Sequence, residues 1–188
     1  MAVTTTTIDH SQTSDVAQTQ GKPCVLGEFI TEADGWKIVA EAATWEGTVY
    51  SAIGAQSVKG VSGDCSGSTF KIYCAAGFPY PYKQTASFEE YARTSNRFRR
   101  IDSATTPLQA GDVLLWPGHM AIYAPLPADH PKFHTGVVRR GVPMPNNFYT
   151  AFNANSTRPY GPFNIQTFRA DSYKVFRYLV MPGPSECK

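Results

Sequence analysis

The chain has 188 residues, enough for one domain whose hydrophobic core needs no metal or disulfide for stability. Hydrophobic residues make up 42% of the sequence and aromatic residues 13%, a composition that excludes an intrinsically disordered chain. A net charge of +2 is too small to indicate a nucleic-acid-binding surface, and no apolar run approaches the roughly 18 residues of a membrane span.

The N-terminal segment is rich in Thr, Ser and Gln and lacks the basic and apolar regions of a secretory signal. We therefore expect a flexible arm over residues 1–22 and a single domain over residues 23–188. Without a Sec signal, the protein is expected to be made in the cytoplasm and to reach any other compartment by a different route.

Helical spacing of apolar residues begins soon after this arm. Residues 33–45 carry apolar side chains at positions i, i+3, i+4 and i+7, which predicts an amphipathic helix. A second helix is predicted from Cys65 onward, because Gly77 and then Pro79 supply stop signals. The stretch SFEEYARTSNRF predicts a third helix with Ser87 as its N-cap.

Beyond Pro107 the pattern changes to short strands bounded by Gly and Pro. GDVLLW and GHMAIYA are joined by the two residues Pro117 and Gly118, which suits a tight connection. FYTAFNANS, PFNIQTF and YKVFRYLV complete an antiparallel sheet of about five strands, while PADHPKFHTG is predicted as a loop. Helices followed by strands predict an α+β fold.

The stretch GVSGDCSGSTFKIYCAAG places Cys65 at the first turn of the second predicted helix. A helix N-terminus presents unpaired N–H groups and the positive end of the dipole, which stabilise a thiolate. The small residues Ser66 and Gly67 leave the backbone open, so that the N–H of Cys65 can bind an oxyanion. Free cysteines are also among the most buried residues, so position alone leaves a nucleophile and a buried thiol as alternatives.

A thiolate nucleophile needs a base, and His119 is the candidate. It follows a glycine and begins a strand of alternating apolar residues, so its side chain is expected at the end of the sheet. The remaining histidines are His10 in the arm and His130 and His134 in the predicted loop. Pro131 interrupts the spacing of the last two, and the chain has no CxxC pair, so no metal site is expected.

Three stretches, TWEGTVYSAIG, GVSGDCSGS and LQAGDVLLWPGHMAIYA, occur in this order within about residues 33–125. They resemble the NlpC/P60 family of cell-wall cysteine peptidases, which has a G-T-x-Y segment, a D-C-S-G box opening a helix, and paired G-D and G-H strands. The resemblance implies a papain-like α+β core, with Cys65 as nucleophile and His119 as its base.

The same resemblance implies a third polar residue, often His, that holds the imidazole ring. The sequence has no His in FYTAFNANSTRPYGPF, and Asn153 is assigned this role because F-N-A stands where the family usually has I-H-A. Asn155 and Thr150 remain alternatives, and each also has an ordinary interpretation as a turn or strand residue.

The resemblance also implies substrate contacts. Asp64 and Tyr50 are similar to family residues that meet the peptide's amine and line the oxyanion site, and Ser66 is similar to a frequent neighbouring contact. Asp64 has an alternative interpretation as a helix cap, and Tyr50 as a core residue. The implied reaction is hydrolysis of an amide in a peptidoglycan stem peptide, between D-glutamate and a diamino acid, without metal or organic cofactor.

Two other functions use the same fold: a papain-like acyltransferase, and a non-catalytic binding module in which Cys65 is inert. The compact domain is also similar to antibacterial amidase effectors of the type VI secretion system. That similarity implies a monomer that acts on the cell wall of a target cell, and an immunity protein that covers the Cys65 cleft. No nucleic-acid or membrane partner is expected, and the basic stretch at 93–100 indicates a solvated face or a contact with an anionic polymer.

The remaining cysteines are Cys24, Cys74 and Cys187. The first and last lie near the two ends of the domain, and chain ends are often close together, so a Cys24–Cys187 disulfide is expected outside a reducing cytoplasm. Cys74 is expected to remain a buried thiol.

Overall fold

A computed structural model of the chain describes residues 27–151 and 159–181, except for the side chains of residues 135–137. The predicted arm and the candidate residues Asn153 and Asn155 lie outside these ranges. The described strands are β1 (Glu28–Phe29), β2 (Val49–Tyr50), β3 (Ser62–Gly63), β4 (Phe98–Ile101), β5 (Val113–Trp116), β6 (His119–Tyr123), β7 (His134–Arg139), β8 (Val142–Pro145), β9 (Phe148–Thr150), β10 (Gly161–Phe163) and β11 (Lys174–Val180). The described helices are α1 (Glu32–Ala43), α2 (Cys65–Ala75), α3 (Thr85–Ser95), α4 (Ile165–Phe168) and a short 3-10 helix, Gly54–Gln56.

The architecture is α+β, as predicted, and its centre is an antiparallel sheet. Its strands lie in the order β1-β11-β5-β6-β9-β10, and β4 also pairs with β11. The sheet has seven strands within the described residues, where the sequence predicted about five. Two short pairs stand apart from it: β2 with β3, which is parallel, and the β7–β8 hairpin.

The core lies on both faces of this sheet. One face carries residues such as Leu115, Met120 and Tyr149 and packs against the apolar sides of α1 and α2. The other face carries Leu114 and Trp116 among others and is covered by a smaller apolar cluster. Since successive residues of a strand point to opposite faces, the two neighbours Leu114 and Leu115 belong to different clusters.

The first two helices begin where the sequence predicted, because each has a capping side chain. The Thr31 hydroxyl accepts a hydrogen bond from the Asp34 N–H, and the Asp34 carboxylate accepts one from the Thr31 N–H, which completes a capping box for α1. The Asp64 carboxylate accepts from the Gly67 N–H at 2.6 Å and fixes the start of α2 at Cys65.

None of the helices in the described ranges has the length and apolar character that a membrane crossing requires.

Three expectations about secondary structure were wrong. The N-cap of α3 is Gln84, and the hydroxyl of Ser87 instead bonds to the Gln84 carbonyl. In the predicted strand PFNIQTF, the Asn164 side chain accepts from two following N–H groups and turns the chain into α4. The predicted loop around His134 contains the β7–β8 hairpin, whose turn residues Arg140 and Gly141 adopt φ of +51° and +80°.

Candidate active site

Cys65 lies in the wall of an open cleft of about 680 Å³. The cleft is bordered by β2, the 3-10 helix, the first turn of α2 and the segment between α2 and α3. Gly67 allows α2 to pack closely against the 3-10 helix, because a Cβ at that position would lie 1.9 Å from the Gly54 carbonyl oxygen. The side chain of Cys65 is a free thiol and is mostly buried. The nucleophile candidate therefore borders an open cleft.

The pKa of the Cys65 thiol is raised to about 11, chiefly by burial and also by the negative charge of Asp64. Hydrogen bonds from the backbone N–H groups of Met120, Ser66 and Cys65 itself lower the pKa of the thiol. The thiolate stabilisation expected from a helix N-terminus is thus present but is outweighed by desolvation. At neutral pH the thiol is therefore protonated, and a base must remove its proton for the sulfur to act as a nucleophile.

His119 occupies the first position of β6, directly after the Pro117–Gly118 turn. Gly118 has a φ of +71°, a conformation that favours glycine, and it borders the same cleft as Cys65. The backbone N–H of Met120, the next residue along β6, interacts with the Cys65 thiol. The fold therefore brings the start of β6 to the N-terminal end of α2, two segments that are about fifty residues apart in the chain.

The pKa of His119 is lowered to about 4, first by burial of the imidazole and then by the positive charge of Arg169, whereas the charge of Asp171 raises it. The imidazole is consequently neutral near pH 7, with one nitrogen protonated and the other able to accept a proton.

The contacts of Thr150 assign the ring proton of His119 to Nε2. Its Oγ1 lies 3.0 Å from Nε2 of His119 and 2.7 Å from the carbonyl oxygen of Met120. A carbonyl oxygen only accepts hydrogen bonds, so the single Thr150 proton goes to Met120 and the Nε2–H of His119 donates to Thr150. This assignment leaves Nδ1 unprotonated, in the state required of a general base.

Of the three candidates for the orienting residue, Thr150 is the one that the described ranges include, and its hydroxyl contacts the imidazole. The assignment to Asn153 and the alternative Asn155 fall on residues outside the described ranges. Thr150 is fully buried at the end of β9, where the strand pairs with β6 and brings its hydroxyl beside His119.

Asp64 has the helix-capping role that was its alternative interpretation and also borders the cleft. Its Oδ1 accepts from the Gly67 N–H and the Ser66 hydroxyl, and its Oδ2 accepts from the Gly54 N–H at 2.6 Å. The Ser66 hydroxyl also meets the Tyr82 hydroxyl at 3.2 Å. Tyr50 is half-buried in the cleft wall, and burial, Cys65 and Asp64 raise its pKa. The three predicted substrate residues thus border the cleft beside Cys65.

Sequence reasoning missed Tyr82 in the cleft wall and the segment Phe168–Asp171 beside His119. Tyr82 lies in FPYPYKQ, a connection without a motif, and reaches the cleft because the chain turns back after α2. The ring of Phe168 lies 5.0 Å from that of His119, but the stretch had been assigned to a strand. No sequence signal identified either segment, since both approach the site only through tertiary packing.

The remaining candidate groups are clusters of possible metal ligands and the other cysteines. Within the described ranges, no group of three or more His, Cys, Asp or Glu side chains is placed to hold a metal ion. Cys74 is half-buried and takes part in a disulfide bond, so the expected buried thiol at this position is wrong. The expected Cys24–Cys187 bridge falls on residues outside the described ranges.

Comparison of the chain with models of known protein families finds no match, and comparison with curated proteins finds none either. The NlpC/P60 resemblance therefore rests on the three quoted motifs, and the functional argument rests on the geometry of the site.

Proposed function

We propose that this protein is a papain-like cysteine peptidase or amidase of the NlpC/P60 type that hydrolyses an amide bond in peptidoglycan stem peptides. The observation that carries the proposal is the convergence of three elements: Cys65 at the start of α2, His119 at the start of β6, and Thr150 on the Nε2 side of the imidazole. A structural cysteine would need neither the cleft nor a histidine with a defined tautomer nearby.

In the proposed reaction, Nδ1 of His119 accepts the Cys65 proton while Sγ attacks the carbonyl carbon of the amide. The two groups are neutral at rest, so proton transfer accompanies the attack instead of preceding it. The backbone N–H of Cys65 stabilises the oxyanion of the tetrahedral intermediate. The imidazolium then protonates the leaving amine, a thioester forms, and water activated by His119 hydrolyses it to the carboxylate and free thiol.

Charge in the cleft supports a substrate with an amine. Asp64 is the only charged residue among the described residues that border the cleft, and its partners are all neutral donors. An ammonium group near this wall gains a favourable interaction, whereas a carboxylate there is repelled. A stem peptide offers a free amine close to the proposed bond between D-glutamate and the diamino acid.

The experiment that tests this proposal is digestion of purified peptidoglycan, with mass analysis of the released muropeptides. Cleavage between D-glutamate and the diamino acid is expected with the wild type and not with Cys65→Ala, while Ser87→Ala on α3 serves as a control outside the cleft. Transfer of an acyl group to an added amine would support the acyltransferase alternative. Binding without any new product would support the binding-module alternative.

We further propose that the protein acts on the wall of a target cell, in the manner of a type VI secretion amidase effector with an immunity protein. Expression in a Gram-negative cytoplasm is then expected to be harmless, because the substrate lies across the inner membrane. Fusion of a Sec signal to the same chain is expected to cause lysis, and the Cys65→Ala fusion is expected to be tolerated. Equal toxicity from both compartments would contradict a wall substrate.

A further inference from the structure

The side of the His119 ring is covered by a segment that no motif identified. The Phe168 ring lies 5.0 Å from the imidazole at an angle of 41°, and the Trp116 ring lies 5.9 Å from it. Phe168 is the last residue of α4, and the chain continues through Arg169 and Ala170 to Asp171. This short segment therefore places an aromatic ring beside the proposed base, and an ion pair follows that ring in the chain.

The ion pair is bidentate. Nε of Arg169 donates to Oδ1 of Asp171 at 2.7 Å, and Nη2 donates to Oδ2 at 2.6 Å. The two side chains are 33% and 41% exposed, which is partial exposure for both. Because they are two residues apart, the pair closes a small loop directly after Phe168.

The other described side chains against His119 carry no charge at neutral pH. Thr150 of β9 bonds to its Nε2, and Trp116 of β5 lies beside the ring. From α2, Cys65 approaches the neighbouring residue Met120 as a neutral thiol. The guanidinium of Arg169 and the carboxylate of Asp171 are thus the charges that act on the imidazole, the first disfavouring and the second favouring its protonated form.

We propose that Arg169 and Asp171 are positioning residues for His119: the pair balances the charge beside the imidazole and holds the Phe168 ring against it. Neither residue contacts the substrate in this role. The catalytic consequence rests on the proposed function, whereas the effect on the imidazole is a property of the resting protein and is measured without substrate.

The test is an NMR titration of the His119 ring protons, assigned with His119→Gln. Arg169→Gln leaves the Asp171 carboxylate unbalanced, so the pKa of His119 is expected to rise by about half a pH unit, a size limited by solvent screening. Asp171→Asn is expected to lower the pKa of His119, and the double variant is expected to have a His119 pKa close to that of the wild type. Arg169→Lys keeps the charge and is expected to titrate like the wild type.

A matched control is the exposed Arg93–Glu90 pair on α3, which has the same bidentate geometry away from the site. Arg93→Gln and Glu90→Gln are expected to leave the His119 titration unchanged. Shifts of the same sign in Arg169→Gln and Asp171→Asn, or no shift in either, would overturn the proposal and leave the pair with a merely structural role.

Activity gives a second measurement of the same effect. The acidic limb of the pH profile of kcat/KM is expected to move to higher pH in Arg169→Gln and to lower pH in Asp171→Asn. If the wild type shows no hydrolysis but the titrations shift in opposite directions, the proposed function fails and the role of the pair stands. If hydrolysis is present and the titrations do not shift, the proposed function stands and the role of the pair fails.

Discussion

The two ends of the β5–β6 hairpin carry two buried polar residues that differ in how many hydrogen bonds they make. At the open end, Asp112 is fully buried and accepts from Arg177 Nε and Nη2 at 2.8 Å each, and from the Gln109 N–H. At the turn end, His119 is almost as buried but has the single described hydrogen-bond partner Thr150, on one of its two ring nitrogens.

The difference lies in unused hydrogen-bonding capacity. A buried carboxylate whose partners are a guanidinium and an N–H is satisfied, and it holds β5 and β11 together. The buried imidazole of His119 has Thr150 on Nε2 and no described hydrogen bond on Nδ1, so one of its two ring nitrogens is left unused. The two residues belong to the same stretch, LQAGDVLLWPGHMAIYA, so sequence proximity does not separate a fully hydrogen-bonded polar group from one with an unused site.

The largest expected effect is on catalysis at the turn end. Cys65→Ala and His119→Ala are each expected to reduce kcat by at least about a thousandfold, and the double variant no further, because the two groups act as a unit. Turnover of stem peptides, measured by release of amines, checks this. Substantial activity in Cys65→Ala would contradict the assignment of Cys65 as the nucleophile.

At the open end the expected effect is on folding. Asp112→Asn leaves the Arg177 guanidinium buried without a counter-ion and is expected to lower the free energy of unfolding by about 3–5 kcal/mol. Urea denaturation measures this change. Asp112→Leu combined with Arg177→Met is expected to cost less than Asp112→Asn alone, and Glu90→Gln in the exposed pair of α3 is expected to cost under about 0.5 kcal/mol.

The buried imidazole also predicts how stability depends on pH. The pKa of His119 is lowered from 6.5 to about 4, so between these values the unfolded chain binds a proton that the folded protein does not. The free energy of unfolding is therefore expected to fall as the pH drops from 6.5 to about 4, by up to about 3 kcal/mol.

Urea denaturation across this pH range, with His119→Gln as reference, isolates the contribution of the histidine. The difference between wild type and variant should depend on pH only below about 6.5 and level off below about 4. A difference that stays constant with pH would mean that the pKa of the imidazole is the same in the folded protein as in the unfolded chain.

The smallest expected effect concerns the orienting hydroxyl. Thr150→Val removes the acceptor for Nε2–H and is expected to reduce kcat about ten- to a hundredfold, while Thr150→Ser retains most of it. Thr94→Val, which removes an exposed hydroxyl of α3, is the control and should leave kcat unchanged. Full activity in Thr150→Val would transfer the orienting role to Asn153 or Asn155.

Local patterns predicted much of the fold. The helical spacing after Cys65 and the stop at Gly77 predicted α2, and short apolar runs bounded by Gly and Pro predicted β5 and β6. The predictions failed where a side chain competed with the pattern. Asn164 started a helix inside an apparent strand, and the turn at Arg140 and Gly141 made a hairpin from an apparent loop.

The sequence by itself identified Cys65 and His119 as the candidate nucleophile and base, through the helix start at Cys65, the glycine before His119 and the three motifs that resemble the NlpC/P60 family. Tertiary structure alone decided their protonation states. Burial raises the pKa of Cys65 against the effect of the helix N-terminus, and Thr150 selects the tautomer of His119. Desolvation and hydrogen bonding depend on which distant segments pack together, and that information is absent from the local pattern of residues.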